Sequence, residues 1–297
     1  DGVTTNGYAT LQAAFDAAGN GEMVVLLVDV TSAMNEAFTV AKGKSITFDL
    51  NGKVLSGGNN KATSFAYLTN NGMLTLKDSS AEGTGKITSK TYPDTGNFAG
   101  FHTVLNKGVF VMESGTIEEA SEKVGGGNNL KWAFRNEASQ GQTVVATIRG
   151  GTIVANYNAV SDYVYDDSSD CTLNVEGGVI KSTGRFSVVT LQNAGSSKPK
   201  FHINVSGGEF IVENKINKNA DGNAIFYCDD QTNAGADFTG CFKITGGKFN
   251  TFKKELIVDY DTMSPSSPAP THDTGYIDFL QLDSGGVADI TRIENHN

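Results

Sequence analysis

An acidic stretch, YVYDDSSDC at positions 163–171, holds the residues best suited to chemistry. Asp166, Ser168 and Asp170 have the 1, 3, 5 spacing with which a calcium-binding loop places its oxygen ligands. The sixth position of this stretch is Cys171 instead of the glycine that such loops need for their sharp turn, and no glutamate stands at the twelfth. The spacing therefore allows a weak calcium site at these three residues, while the composition is more typical of a solvated turn.

Tyrosines and further carboxylates surround this stretch, and the combination is typical of a surface that binds sugars or a protein. Aromatic faces pack on sugar rings, and a few polar groups fix the orientation of a ligand. The candidate ligand-binding residues share these side-chain types and lie on neighbouring units of a repeat: Tyr157, Asp162, Tyr163, Tyr165, Asp166, Asp167, Tyr227, Asp229 and Asp230.

The same region holds the only acids that favour an enzyme. A polysaccharide lyase or glycoside hydrolase would use two carboxyl groups placed together, and the candidates are Asp162, Asp166, Asp167 and Asp170. These acids align poorly between neighbouring repeats, and the four histidines are scattered without a partner that the sequence identifies. We therefore assign no catalytic residue, and the enzyme hypothesis remains the alternative to binding.

A recurring glycine corner indicates which elements position these side chains. The phrases VMESGTI, TIRGGTI, NVEGGVI, NVSGGEF and KITGGKF each end an alternating apolar run at a glycine and restart it with one large apolar residue. The corner glycines lie 27 to 39 residues apart: Gly115, Gly151, Gly178, Gly208 and Gly247. Glycine is suited to such a corner because a sharp turn through positive φ places a Cβ in a clash.

Apolar residues recur at fixed offsets from each corner. Three columns lie five and three residues before it and two after it: Phe110, Ala146, Leu173, Ile203 and Phe242; Met112, Ile148, Val175, Val205 and Ile244; Ile117, Ile153, Ile180, Phe210 and Phe249. The spacing of two before the corner is that of one face of a β-strand, and the residue after it re-enters the interior from a second strand.

A third short β-prone line precedes each corner, as in FHTVLNKG at 101–108 and NAVSDY at 158–163. Units of about 30 residues with three strands each predict an all-β fold, a single-stranded right-handed parallel β-helix of seven or eight coils. Asparagines near the ends of these lines predict a ladder of side-chain hydrogen bonds along the stack: Asn70, Asn106, Asn136 and Asn193.

We expect one domain over residues 1–297. Residues 8–28 form an N-terminal cap, in which a short helix with Thr10 as its N-cap precedes a strand, Met23–Val28, and residues 29–260 form the coils. Residues 261–297 follow a proline-rich break and either close the solenoid or begin a linker. Strand alternation predicts that Trp132 packs inward with Phe134, opposite Arg135.

Charge and cysteine content exclude several classes of function. The net charge is −10, with 23 basic and 33 acidic residues, which argues against binding nucleic acid, and no apolar run is long enough to insert into a membrane. The three cysteines, Cys171, Cys228 and Cys241, form no complete disulfide framework; Cys171 and Cys241 are too far apart to pair, and a Cys228–Cys241 bond remains open. No cofactor is indicated besides the possible calcium.

The pattern resembles a known family of folds. The entry LQAAFDAAGNGEMVVLLVDV, the line FTVAKGKSITFDLNGKVLSGG and the repeated glycine corners resemble the pectin-lyase-like β-helix regions of large secreted or surface adhesin-type proteins of Gram-positive gut bacteria. The resemblance covers roughly residues 8–260 and is specific for fold far more than for activity.

This resemblance implies a secreted or cell-surface binding module. Its expected partners are a host or dietary glycan, mucin, or a host protein such as an immunoglobulin, and we expect a monomer within a longer chain.

Overall fold

The computed structural model describes residues 5–60, 63–91, 100–121, 131–184, 187–196, 198–213, 225–230, 238, 240–250 and 257–260. Within these residues one helix and 24 β-strands, numbered β1 to β24 in chain order, make up the regular structure. The strands form three sheets of eight, and each strand pairs with those three places before and after it in the chain. Every pairing is parallel, as for β10 and β13. The chain visits the three sheets in turn, which confirms the all-β prediction and is consistent with a parallel β-helix.

The first sheet holds the strands that lead into the glycine corners. They are β1 (Met23–Val25), β4 (Ser45–Asp49), β7 (Met73–Lys77), β10 (Val109–Met112), β13 (Thr143–Ile148), β16 (Asp170–Val175), β19 (Lys200–Val205) and β22 (Phe242–Ile244). The predicted columns are confirmed here, because Met112 pairs with Ile148, Ile148 with Val175 and Val175 with Val205, all buried. Like residues therefore lie over like residues along the interior.

The second sheet follows the corners. It contains β2 (Val30–Thr31), β5 (Val54–Asn59), β8 (Lys86–Thr91), β11 (Thr116–Glu119), β14 (Thr152–Ala155), β17 (Val179–Ser182), β20 (Glu209–Val212) and β23 (Lys248–Asn250). Ile117, Ile153 and Ile180 form one buried column in register across three of these strands. Gly151 turns the chain between the two sheets with φ of 80°, as the sequence predicts for all five corners.

The third sheet carries the predicted upstream lines. Its strands are β3 (Phe38–Val40), β6 (Phe65–Asn70), β9 (Phe101–Asn106), β12 (Lys131–Ala138), β15 (Asn158–Val164), β18 (Val189–Asn193), β21 (Phe226–Asp230) and β24 (Ile257–Tyr260). In β12 the pairing skips Ala133 on both sides, and Ala133 and Phe134 both join the apolar core. Because these two consecutive side chains point inward, the residues before Ala133 alternate in the opposite phase to those after Phe134. This change of phase decides which side of the sheet Trp132 faces.

An asparagine ladder runs along the inner side of the third sheet. The side-chain amide of Asn70 donates to Asn106 Oδ1 at 2.8 Å, and the amide of Asn106 donates to Asn136 Oδ1 at 2.8 Å. The prediction that Asn193 belongs to this ladder is wrong. Asn193 pairs with Val164, two residues beyond the ladder position, and its side chain caps a local turn at Ser196.

A single helix, α1 (Leu11–Ala17), precedes the strands, with Leu11 and Phe15 buried and Thr10 Oγ1 accepting from the amide of Ala13. The predicted strand Met23–Val28 is too long: β1 ends at Val25, and Leu27 and Val28 are 71% and 66% exposed. They follow β1, which is the edge strand of the first sheet. The helix is too short to cross a bilayer, and no other helix occurs in the part of the chain that the structure describes.

The three cysteines are buried and none is in a disulfide, so the Cys228–Cys241 bond left open by the sequence is not formed. The predicted closure or linker at residues 261–297 lies outside the described residues.

Candidate functional site

The structure divides the predicted binding residues between the interior and the surface. Tyr157 is 1% exposed, and its ring packs 5.5 Å from the Nζ atom of Lys131. Asp162 is fully buried on the inner side of β15. Neither side chain reaches solvent, which corrects their assignment to a binding surface. The sequence misplaced Asp162 because two consecutive inward residues on this sheet shift which positions face out, whereas Tyr157 lies just before β15.

Tyr163 and Tyr165 remain as the outward aromatic residues. Tyr163 is half-buried, Tyr165 is 57% exposed, and their ring centroids lie 6.0 Å apart. The guanidinium of Arg135, one strand away, lies 4.0 Å from the centroid of the Tyr163 ring and 4.9 Å from that of Trp132. We call Trp132, Arg135, Glu137, Tyr163 and Tyr165 the aromatic surface; it runs across β12, β15 and the residue after β15 on the outer side of the third sheet. Trp132 and Arg135 are its buried part, and Tyr163 and Tyr165 reach solvent.

Hydrogen bonds fix Arg135 in this stack. Its Nε donates to Glu137 Oε2 at 3.0 Å, and its Nη1 donates to Gln192 Oε1 at 3.0 Å. Glu137 also pairs with Lys107 at 2.8 Å. Burial favours the neutral acid, but Arg135 and Lys107 outweigh it and hold the pKa of Glu137 below its usual value. The planar guanidinium can stack and hydrogen-bond at once. Glu137 lies on the same strand, β12, and Gln192 lies two strands away on β18.

Trp132 packs on the outer side, against the prediction that it shares the inner side with Phe134. It is 1% exposed and stacks on His102 with centroids 5.0 Å apart. Burial, followed by the charges of Arg135 and Lys107, lowers the pKa of His102 well below its usual value, so this imidazole is neutral. Sequence reasoning missed His102 and Arg135 as members of one cluster, because only strand register brings them together.

The acidic loop has the geometry of a capped turn. Asp166 Oδ1 accepts from the amide of Ser168 and the hydroxyl of Ser169, and Oδ2 accepts from the amide of Gln140, each at 2.9 Å. These bonds, led by that of the Ser168 hydroxyl, lower the pKa of Asp166 to about 2. A cation at Asp166, Ser168 and Asp170 would have to compete with these donors, and the calcium site stays a prediction.

The other predicted acids whose side chains the structure describes interact with different partners. Asp167 accepts from the Ser196 hydroxyl, and Asp170 lies 3.3 Å from His202 Nε2 on the outer side of the first sheet. Tyr227 is half-buried on β21; Asp229 and Asp230 follow it on that strand, and their side chains are outside the described set. Among the described residues no three His, Cys, Asp or Glu side chains converge as metal ligands do.

A shallow groove of about 510 Å³ lies elsewhere, on the outer side of the second sheet. Its hydroxyl groups already have partners: Ser32 bonds the phenol of Tyr67, and Thr88 donates to Glu118. No residue predicted from the sequence lines this groove, and its polar groups are engaged within the protein. The aromatic surface is therefore the stronger candidate site.

Replacing Arg135 with lysine should loosen the aromatic surface. We expect a loss of about 1 to 2 kcal/mol in the free energy of unfolding, because an ammonium keeps the charge but cannot stack on two rings while bonding Glu137 and Gln192. Trp132 is the only tryptophan, so its fluorescence reports on this cluster, and we expect emission at longer wavelength and stronger quenching by acrylamide.

Arg149→Lys is the matched control. Arg149 is half-exposed and pairs with Glu176 on the surface of the first sheet, so the change should alter stability by less than about 0.5 kcal/mol. Equal effects of the two substitutions on stability and emission would contradict the stacked geometry of Arg135.

Comparison with known proteins leaves the chain without a match. No protein-family model, curated protein or solved structure is similar to it at a significant level.

Proposed function

We propose that this chain is a non-enzymatic binding module of a secreted or cell-surface bacterial protein, and that it binds a host or dietary glycan or glycoprotein through the aromatic surface. The observation that carries the proposal is the column in which Arg135 stacks between Trp132 and Tyr163, with Tyr165 exposed beyond it. A rigid aromatic face beside charged and amide groups suits a sugar ring, which offers a C–H face and a rim of hydroxyls.

The proposed architecture is a right-handed parallel β-helix of the pectin-lyase-like kind. Three parallel sheets visited in turn support the β-helix, and the general preference of crossover connections between parallel strands supports the right-handed form. The secreted or surface location and the adhesin-type role rest on the resemblance of the glycine-corner repeats. Mucin and immunoglobulin are the host partners proposed for this surface. The chain would act as a monomer within a longer protein.

The geometry favours binding over hydrolysis or lyase chemistry. A glycosidase needs two carboxyl groups facing one substrate. Here Asp162 is interior, Asp166 accepts hydrogen bonds from the amides of Ser168 and Gln140, and Asp170 pairs with His202. The described acids do not offer the paired arrangement, so no observation raises the enzyme to a second proposal.

A glycan array followed by titration tests the proposal. Tyr165→Ala should weaken binding of any glycan that the wild type retains by at least tenfold, since an exposed aromatic anchor contributes about 1.4 kcal/mol or more. Tyr8→Ala is the matched control, because Tyr8 is 46% exposed and lies before α1, away from the aromatic surface. It should leave binding unchanged.

Two outcomes would count against the proposal. One is an array and a panel of mucins and immunoglobulins that stay blank at high protein concentration. The other is equal loss of binding in both tyrosine variants. Release of unsaturated or reducing sugars from acidic polysaccharides would instead favour the lyase or glycosidase.

A further inference from the structure

The asparagine ladder ends at an acid. Asn136 pairs in register with Asp162 on β15, so the position that holds an asparagine on three successive strands of the third sheet holds a carboxyl group on the fourth. Its side chain is fully buried, and neither carboxyl oxygen accepts a hydrogen bond of acceptable geometry. A buried polar group without a partner is costly, so this position calls for a physical explanation.

The ladder shows what the position requires. Besides bonding to the next asparagine, each amide donates to a backbone carbonyl of the first sheet: Asn70 to Val109 at 2.8 Å, Asn106 to Val145 at 3.0 Å and Asn136 to Thr172 at 2.9 Å. These carbonyls are successive members of one row, since Val109 pairs with Val145 and Val145 with Thr172. The next member of the row is His202.

Asp162 can follow this pattern only when it carries a proton. A carboxylic acid has one O–H to donate to a carbonyl and one oxygen left to accept from the Asn136 amide, which reproduces the two functions of an asparagine side chain. A carboxylate has acceptors only, and it would face a row of carbonyl oxygens that are also acceptors. The protonation state therefore decides whether the ladder continues.

Among the residues that the structure describes, no cation faces the carboxyl group of Asp162. On β12 the residue that faces Asp162 is Asn136; Arg135, its neighbour, is directed to the outer side of the sheet, where it stacks on Tyr163. On β16 the group that faces Asp162 is the thiol of Cys171, the residue after Asp170. On β18 the residue that pairs with Asp162 is the apolar Leu191. The groups that act on Asp162 among the described residues, Asn136 and Cys171, are both uncharged.

We propose that Asp162 is a proton-dependent rung of the ladder: as a carboxylic acid it joins β15 to the coils before and after it, and as a carboxylate it opens this contact. The proton is exchanged with water, and no other reactant is required. This inference is independent of the proposed function, although Tyr163, the residue after Asp162, belongs to the aromatic surface.

The burial of the group acts in the direction that this role requires. Burial raises the pKa of Asp162 from 3.8 to about 7, against weaker opposing effects of Asn136 and Cys171. Between these two values the folded protein retains a proton that the unfolded chain has released, so the contribution of Asp162 to stability falls as pH rises from about 4 to about 7. Below that range both states are protonated and above it both are ionised, so the contribution is constant there.

Asp162→Asn tests the proposal, because an amide supplies the donor at every pH. We expect the melting temperature of the variant to match or slightly exceed that of the wild type at pH 4.5 and to exceed it by roughly 10 °C at pH 8. Asp166→Asn is the matched control: the pKa of Asp166 is lowered to about 2, so its difference from the wild type should be the same at both pH values.

A second variant and a direct readout separate the proposal from a general loss of packing. Asn106→Asp places an acid at an earlier rung and should acquire the same loss of stability above neutral pH. In protein labelled with ¹³C at aspartate carboxyls, one resonance should titrate near neutral pH and be missing from Asp162→Asn. A carboxyl that titrates near 4, or a melting difference that is equal at pH 4.5 and pH 8, would overturn the proposal.

Discussion

Gly151→Val should destabilise the protein by at least about 3 kcal/mol, as measured by denaturant unfolding. Gly151 has φ of 80°, which a β-branched residue rarely adopts, and a Cβ built there lies 2.5 Å from the carbonyl oxygen of Gly115 and 2.7 Å from Met112 Cε. The nearest obstacle is the backbone of the neighbouring corner, which cannot move without disturbing the register of two sheets. We expect much of the variant to be insoluble on expression.

Gly43→Val separates the two causes of this effect. Gly43 has nearly the same φ, 84°, but nothing lies within 4 Å of its built Cβ. This change should therefore cost only the conformational penalty of about 1 to 2 kcal/mol. If the two valine variants were equally stable, close stacking of the corners would be contradicted.

Asn106→Ala should cost about 3 to 4 kcal/mol in the free energy of unfolding. The Asn106 amide donates to Asn136, to the Val145 carbonyl and to the Gly108 carbonyl, and its oxygen accepts from the amides of Asn70 and Gly108. The substitution leaves several of these buried groups unsatisfied at once and opens a cavity. Guanidinium or urea unfolding, monitored by circular dichroism, gives the value.

Asn204→Ala is the matched control for the ladder. Asn204 is half-buried on the outer side of the first sheet and donates to Asn174 Oδ1 at 2.9 Å, so its loss should cost no more than about 1 kcal/mol. An interior and an outer asparagine of equal effect would contradict the role of the ladder in holding the coils together.

Most of the architecture could be predicted because each repeat unit carries the same pattern of apolar residues and glycine. A period of two before each corner places Ile148 and Val175 inward, and a glycine at each corner marks where φ becomes positive. Errors in one unit are corrected by agreement among the others. The columns, the corners and the N-terminal helix therefore follow from sequence alone.

The candidate site was harder to predict, since it depends on local departures from the inward and outward alternation of a β-strand. Two consecutive inward residues, Ala133 and Phe134, put Trp132 on the outer side and Asn136 on the inner side. The same irregularity on the next strand turns Asp162 inward, although its neighbours in the sequence are typical of a surface. A strict period of two cannot show such a local departure.

Partners from other coils were the second obstacle. Arg135 stacks on Tyr163 and bonds Gln192, 57 residues away, and Asn193 misses the ladder by two positions on the same strand. Unequal unit lengths hide these registers until the strands are paired. For this reason the sequence grouped the buried Tyr157 and Asp162 with the exposed Tyr165.

Spin-label distances across the outer side of the first sheet test the stacked register most directly. Thr47, Thr75, Val111, Thr147, Asn174 and Asn204 form one row, one residue to a layer. Labels on Thr47→Cys and Asn174→Cys should lie roughly 19 Å apart and labels on Thr47→Cys and Asn204→Cys roughly 24 Å apart, because each layer adds about 4.8 Å. The predicted result is that the two label-to-label distances differ by the spacing of one layer. Equal distances in the two pairs, or a step several times larger, would contradict the stack.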